Sequence, residues 1–106
     1  MDRYHQTQQL LERLESVMRE AGIWESKSPG AAALASTEPF AIDTLSCSQW
    51  LQWIFIPRMK QLVAQKAALP AQFEISPYVE EAMKDQQGNM AVLAVTRELD
   101  HLFRAK

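Results

Sequence analysis

The side chains with chemical capacity cluster near the middle of the chain: Phe40, Asp43, Thr44, Trp50, Gln52, Trp53, Pro57 and Arg58, with Tyr78 further on. An amide at Gln52 among apolar neighbours needs hydrogen-bond partners for both of its ends. Arg58, just beyond Pro57, is placed to reach a carbonyl or a carboxylate. Asp43 or Thr44 would cap a following helix if its first turn began early. Two readings of this group stand side by side. One is a structural network pinning a loop to an interrupted helix; the other is the floor of a pocket walled by Phe40, Trp50, Trp53 and Tyr78, as small ligands and peptides require.

Other reactive residue types lack companions. Glu98 precedes His101 by three residues, one half of the Glu-x-x-His pairing that a di-metal bundle needs, but a second pair is missing. Cys47 has no CxxC partner; in a first helical turn its thiolate would be favoured, and otherwise it is a small semi-buried residue. Ser36, Thr37 and Ser46 have no nucleophile-elbow context. With three glycines in the chain, a phosphate-cradling loop is not expected. No catalytic, cofactor or metal residue is assigned, and no cofactor is expected.

Four helices are expected to position these groups. The first spans residues 4–21, with Leu10, Leu14, Val17 and Ala21 on one face, Leu11 and Met18 widening it, Asp2 as cap and Gly22 as stop. Residues 22–45 lose all periodicity yet hold Ile23, Trp24, Leu34, Phe40, Ile42 and Leu45, too apolar for a free linker. That segment is expected to lie ordered across the bundle with a helical turn in it.

The second helix should begin at Ser46 or Ser48 and run to about Lys66, kinked at Pro57. One face carries Leu51, Gln52, Phe55, Ile56, Met59, Leu62 and Val63. The other carries Trp50, Trp53 and Ile54. Leaving those three in water would forgo roughly 5–9 kcal/mol, so the 23–45 segment, or a partner subunit, must cover them. A connector with Leu69-Pro70 and Phe73 leads to a third helix, residues 77–86, capped by Ser76 and closed by Gly88. The fourth runs from an Asn89 cap to about Arg104, with Val92, Val95, Leu99 and Leu102 on its face, supported by Met90, Leu93 and Phe103. No strand alternation competes. The fold class is therefore all-α: a four-helix bundle with a long ordered loop between helices 1 and 2 and a proline-kinked helix 2.

Composition narrows function by exclusion. A chain of 106 residues with 47% hydrophobic and 23% charged residues is one globular domain, residues 1–106. No apolar run reaches the ~20 residues of a bilayer span, no signal peptide is visible, and one cysteine makes no disulfide framework. A cytoplasmic protein is expected. The net charge of −2 lacks the basic surplus of nucleic-acid readers, so direct nucleic-acid binding is not expected.

The strings Ser36-Thr37-x-Pro39-Phe40-x-x-Asp43-Thr44, Trp50-Leu51-Gln52-Trp53-x-x-Ile56-Pro57-Arg58-Met59, Leu69-Pro70 and Pro77-Tyr78 resemble the YqcC-like family of small bacterial proteins. The resemblance implies an all-helical bundle and carries over no catalytic residue. Family members are often encoded beside a tRNA pseudouridine synthase, which implies a link to RNA modification by association. The aromatic-rich second helix, the missing catalytic constellation and the mild acidity point to a non-enzymatic interaction or adaptor protein with a protein partner. The alternatives are an accessory to tRNA pseudouridylation and a small-molecule binder. Surface left over by the second helix could also pair two copies symmetrically in a homodimer.

Overall fold

Helix α1 (Arg3–Glu20) forms because apolar side chains recur on one stripe. The stripe that enters the core is Thr7, Leu11, Leu14 and Met18, all fully buried, while Leu10 and Val17 flank it half-covered. This is a rotation from the expected Leu10–Leu14–Val17–Ala21 face. Thr7 tolerates burial because its hydroxyl donates to the Arg3 carbonyl at 2.8 Å, so no polar group is left unpaired. Gly22, at φ 75°, ends the helix as expected. Ile23 N–H reaches the Met18 carbonyl and Gly22 N–H the Arg19 carbonyl, each at 3.1 Å.

The computed structural model describes residues 3–67, 74–86 and 88–104, leaving aside the side chains of Pro39 and Arg104. The expected roles of Asp2, Leu69-Pro70 and Phe73 lie outside the described residues. The segment after α1 is ordered as expected and contains one α-helical turn, α2 (Ala31–Leu34), and a 3-10 turn, Pro39–Ala41.

The helix expected from residue 46 or 48 is one continuous rod in three pieces: α3 (Cys47–Trp50), a π turn (Leu51–Phe55) and α4 (Ile56–Ala64). Its start is a capping box in which Ser46 Oγ accepts from Gln49 N–H and Gln49 Oε1 accepts from Ser46 N–H. Asp43 and Thr44 are therefore not its caps. The interruption expected at Pro57 takes the form of a widened turn, in which Ile56 N–H bonds the Leu51 carbonyl five residues back. Pro57 has no N–H to continue the ladder, and the change of register falls just before it. The rod ends at Lys66, which adopts φ 51° in a cap of the same kind as Gly22. The Tyr4 hydroxyl donates to the carbonyls of Lys66 and Ala67.

Helix α5 (Ser76–Ala82) ends before the expected Gln86 and passes into a turn. Its cap also differs from expectation. Asp100 of α6, fully buried, accepts from Ile75 N–H at 2.8 Å, Ser76 N–H at 2.9 Å and the Ser76 hydroxyl. Ser76 is thus the capped residue and Asp100 the cap. In α6 (Asn89–Arg104), Val92, Val95, Leu99 and Phe103 are buried; Phe103 takes the place expected for Leu102, and Met90 is 80% exposed. Asn89 is the first helical residue rather than the expected cap, since Val92 N–H bonds the Gly88 carbonyl; its amide donates to the Lys84 carbonyl. Gly88, at φ 78°, lies so close to Ala21 that an added Cβ would sit 2.4 Å from the Ala21 Cβ.

The chain is all-α, with no strand among the described residues. α1 packs against α4 and α6, and α5 packs on α6 and touches α3. Their buried faces make one core from Leu11 to Phe103. The outer face of the rod, with Trp50, Trp53 and Ile54, is left for the 22–45 segment.

Candidate functional site

The covering of that outer face begins with Glu25, a residue that carried no signal in the sequence. Gln52 is 5% exposed, and both ends of its amide meet the Glu25 backbone: Oε1 accepts from Glu25 N–H at 2.8 Å, and Nε2 donates to its carbonyl at 2.6 Å. The Glu25 carboxylate then accepts from Trp53 Nε1–H at 3.0 Å and from Gln49 Nε2 at 3.1 Å. Three side chains within about one turn of the rod, Gln49, Gln52 and Trp53, hold a single loop residue from both its backbone and its side chain. Bonds to an ionised acceptor are the stronger kind. The partners of Gln52 were therefore in the loop, as a network reading requires, but Asp43 and Arg58 take no part in it.

Phe40 covers the next stretch. Its ring stacks on Tyr78 with centroids 4.3 Å apart and meets Trp50 edge-on at 5.0 Å; Trp50 stacks in turn on Phe55 at 5.4 Å. To place it, the backbone turns left-handed at two successive non-glycine residues, Phe40 at φ 58° and Ala41 at φ 49°. Each such residue costs about 1–2 kcal/mol, and strain of this kind gathers at binding and switch regions. Asp43 and Thr44 brace the turn from outside. Asp43 accepts from the Ser36 hydroxyl, and Thr44 donates to the Ala33 carbonyl at 2.7 Å. Ile42 is 62% exposed and covers nothing.

Trp50, Trp53 and Ile54 remain half-buried after this covering. Two open grooves lie beside the rod, and Trp53 lines both. One, of about 560 Å³, runs between Leu34, Ser36, Glu38, Phe40 and Ala41 on one side and Trp50, Trp53, Ile54 and Arg58 on the other. The second, of about 580 Å³, is walled by Trp24, Glu25, Pro57 and Lys60 with Glu15 and Arg19. There the Arg19 guanidinium lies 4.9 Å over the Trp24 ring, and its hydrogen bond to Glu15, aided by Lys60, holds the Glu15 carboxyl below the usual carboxylate range. Of the nine residues singled out by the sequence, Phe40, Trp50, Trp53 and Arg58 share the first groove and Gln52, Trp53 and Pro57 the second. Tyr78 lies behind Phe40, and Asp43 and Thr44 behind its turn.

Cys47 is 4% exposed, and burial pushes its thiol up to about 12, so the thiolate expected of a first helical turn is not favoured. Burial, with Cys47 adding to it, also raises the Tyr78 phenol. Glu98 pairs with Arg13 at 2.9 Å, beside His101 in a broad groove between α1 and α6. Leu10 and Leu102, expected on the core faces of their helices, line this groove instead. Among the described residues no three of His, Cys, Asp or Glu gather as a metal would need. No helix among them is long and apolar enough to cross a membrane.

Comparison with known proteins gives this architecture a family. A family model described as tRNA pseudouridine synthase C matches residues 6–102. An uncharacterised protein of Haemophilus influenzae is 51% identical over 81 residues, 76% of either chain. The uncharacterised protein YqcC of Escherichia coli is 39% identical over 94 residues, 88% of this chain and 86% of that one. The solution NMR structure of Escherichia coli YqcC matches with a TM-score of 0.86 at 36% identity, over 99% of this chain and 91% of that chain. The chain belongs to the YqcC-like family of small bacterial proteins. A further relative, a Pectobacterium carotovorum protein described as tRNA pseudouridine synthase C, is 43% identical over 70 residues; these are 66% of this chain but 19% of that longer one.

Proposed function

We propose that the chain is a non-enzymatic interaction module of the cytoplasm that works alongside a tRNA pseudouridine synthase. The observation that carries this reading is the Pectobacterium relative, in which a similar stretch forms 19% of a longer chain described as that synthase. Joining two parts in one chain raises their effective concentration, an advantage only where the two act together. The site geometry supports a binding role over chemistry. Gln52, Asp43 and Thr44 each bond within the fold, while the half-buried aromatic residues and Arg58 line an open groove. The net charge of −2 favours contact with the enzyme over contact with tRNA.

Co-expression with the synthase of the same organism tests the proposal, read by co-elution with light scattering and by pseudouridine formation on tRNA. A joint complex is expected, with more product than the synthase alone forms. Neither complex nor stimulation at low salt would overturn it. The same elution reports whether the chain pairs with itself as a homodimer. The groove of about 560 Å³ favours one second reading, a small-molecule binder. A metabolite present at 100 times its dissociation constant would then add ~2.7 kcal/mol to stability in a thermal-shift screen; a screen without any shift removes this reading.

A further inference from the structure

We propose that the groove between the Phe40 turn and the rod is the docking site for a peptide segment of the partner, one with apolar side chains followed by a single carboxylate. This rests on the reading of the chain as an interaction module and names the surface and the chemistry that surface selects. Three independent observations converge here. The floor is half-buried Trp50, Trp53 and Ile54, held in place by the fold yet not sealed by it. One wall is Phe40, kept upright by a strained left-handed backbone and by its stack on Tyr78. The π turn that widens the rod spans Leu51–Phe55, between Trp50 and Pro57, and such turns recur at functional sites.

Charge identifies the occupant. Arg13, Arg19, Lys60, Lys84 and Arg97 each have a carboxylate partner. Arg58, exposed on the rim of the groove, has none among the described residues; Lys27 and Lys66 also lack one, but they do not line this groove. A guanidinium beside an apolar floor selects a carboxylate adjoining apolar side chains, through a bidentate bond that a neutral amide cannot replace. Glu38 lines the same groove and repels a second negative charge. The site therefore favours a single acid over an acidic run, and a peptide over the polyanionic backbone of a nucleic acid.

Titration of the intact chain tests this, following tryptophan fluorescence and heat of binding. The probes are a synthetic peptide with two leucines and a phenylalanine ahead of one glutamate, its glutamine counterpart, a version ending in several glutamates, and a single-stranded RNA oligonucleotide. The single-glutamate peptide should bind best, and Arg58→Glu should weaken it on the order of tenfold or more while Met90→Gln leaves it unchanged. Arg58 is exposed, so its variant should keep the native melting profile; Trp53→Phe, which shrinks the apolar floor, is a second variant expected to weaken binding. Equal binding of the glutamine peptide, indifference to Arg58→Glu, stronger binding of the RNA, or no binding of any peptide would each overturn the proposal. If the synthase associates but Arg58→Glu leaves that complex intact, this assignment fails and the partnership stands. If the peptide binds through Arg58 while the synthase does not associate, the groove stands and the partnership fails.

Discussion

At Cys47 two effects pull the thiol in opposite directions. It lies in the first turn after Ser46, where exposed backbone N–H groups favour a thiolate, yet it is 4% exposed and its thiol is pushed up to about 12. Burial wins, so the folded protein should resist a disulfide reagent at pH 8 and react only when denaturant is added. Rapid labelling of the native chain would contradict this. The glycines at 22 and 88 make a second contrast. Both have positive φ, but a Cβ at Gly22 meets nothing within 4 Å while one at Gly88 meets Ala21 at 2.4 Å. Gly22→Ala should cost about 1 kcal/mol, the left-handed penalty alone. Gly88→Ala should cost about 2–4 kcal/mol, because overpacking adds to it. Urea unfolding of the pair measures the difference.

At the scale of elements, the helices were legible because their apolar residues recur at helical spacing, and the need to cover Trp50, Trp53 and Ile54 followed from magnitude. What covers them was not legible. Glu25 is separated from Gln52 by 27 residues, and an acid in a loop carries no mark of a distant amide. Asp100, 24 residues beyond Ser76, was hidden in the same way, since the local Ser76-Pro77 signal already explained a helix start. Of the site, the groove-lining Phe40, Trp50, Trp53 and Arg58 could be found from their types, whereas Asp43 and Thr44 bond backward to Ser36 and Ala33. Gln52→Ala should leave the Glu25 N–H and carbonyl unpaired and cost about 1–3 kcal/mol. Thermal unfolding reads the cost, and a red shift of tryptophan emission would report loosening of the loop at Trp53. An unchanged melt would mean that the Glu25 carboxylate alone secures the segment.

For the molecule as a whole, acid stability follows from Glu15, which joins α1 to α4 through Lys60 and is paired with Arg19. Its folded carboxyl lies below the ordinary 4.5, chiefly through the Arg19 hydrogen bond. The unfolded chain therefore binds the proton first, and this contribution is complete above about pH 4.5 and lost as pH falls through the folded value. Glu15→Gln should flatten the acid limb of a stability–pH curve and leave its neutral region less affected by pH; an unaltered acid limb would show that other carboxylates govern it.

The grip on Glu25 also has a meaning in time. A loop amide ordinarily opens to solvent as its own segment frays, long before the core does. The Glu25 N–H instead bonds a buried side chain of the rod, so it can exchange with deuterium only when that side chain lets go. Its exchange should be slow in the intact protein and should become fast in Gln52→Ala. That one amide then serves as a clock for release of the whole 22–45 segment, and hence for how often the groove beside Trp53 changes shape.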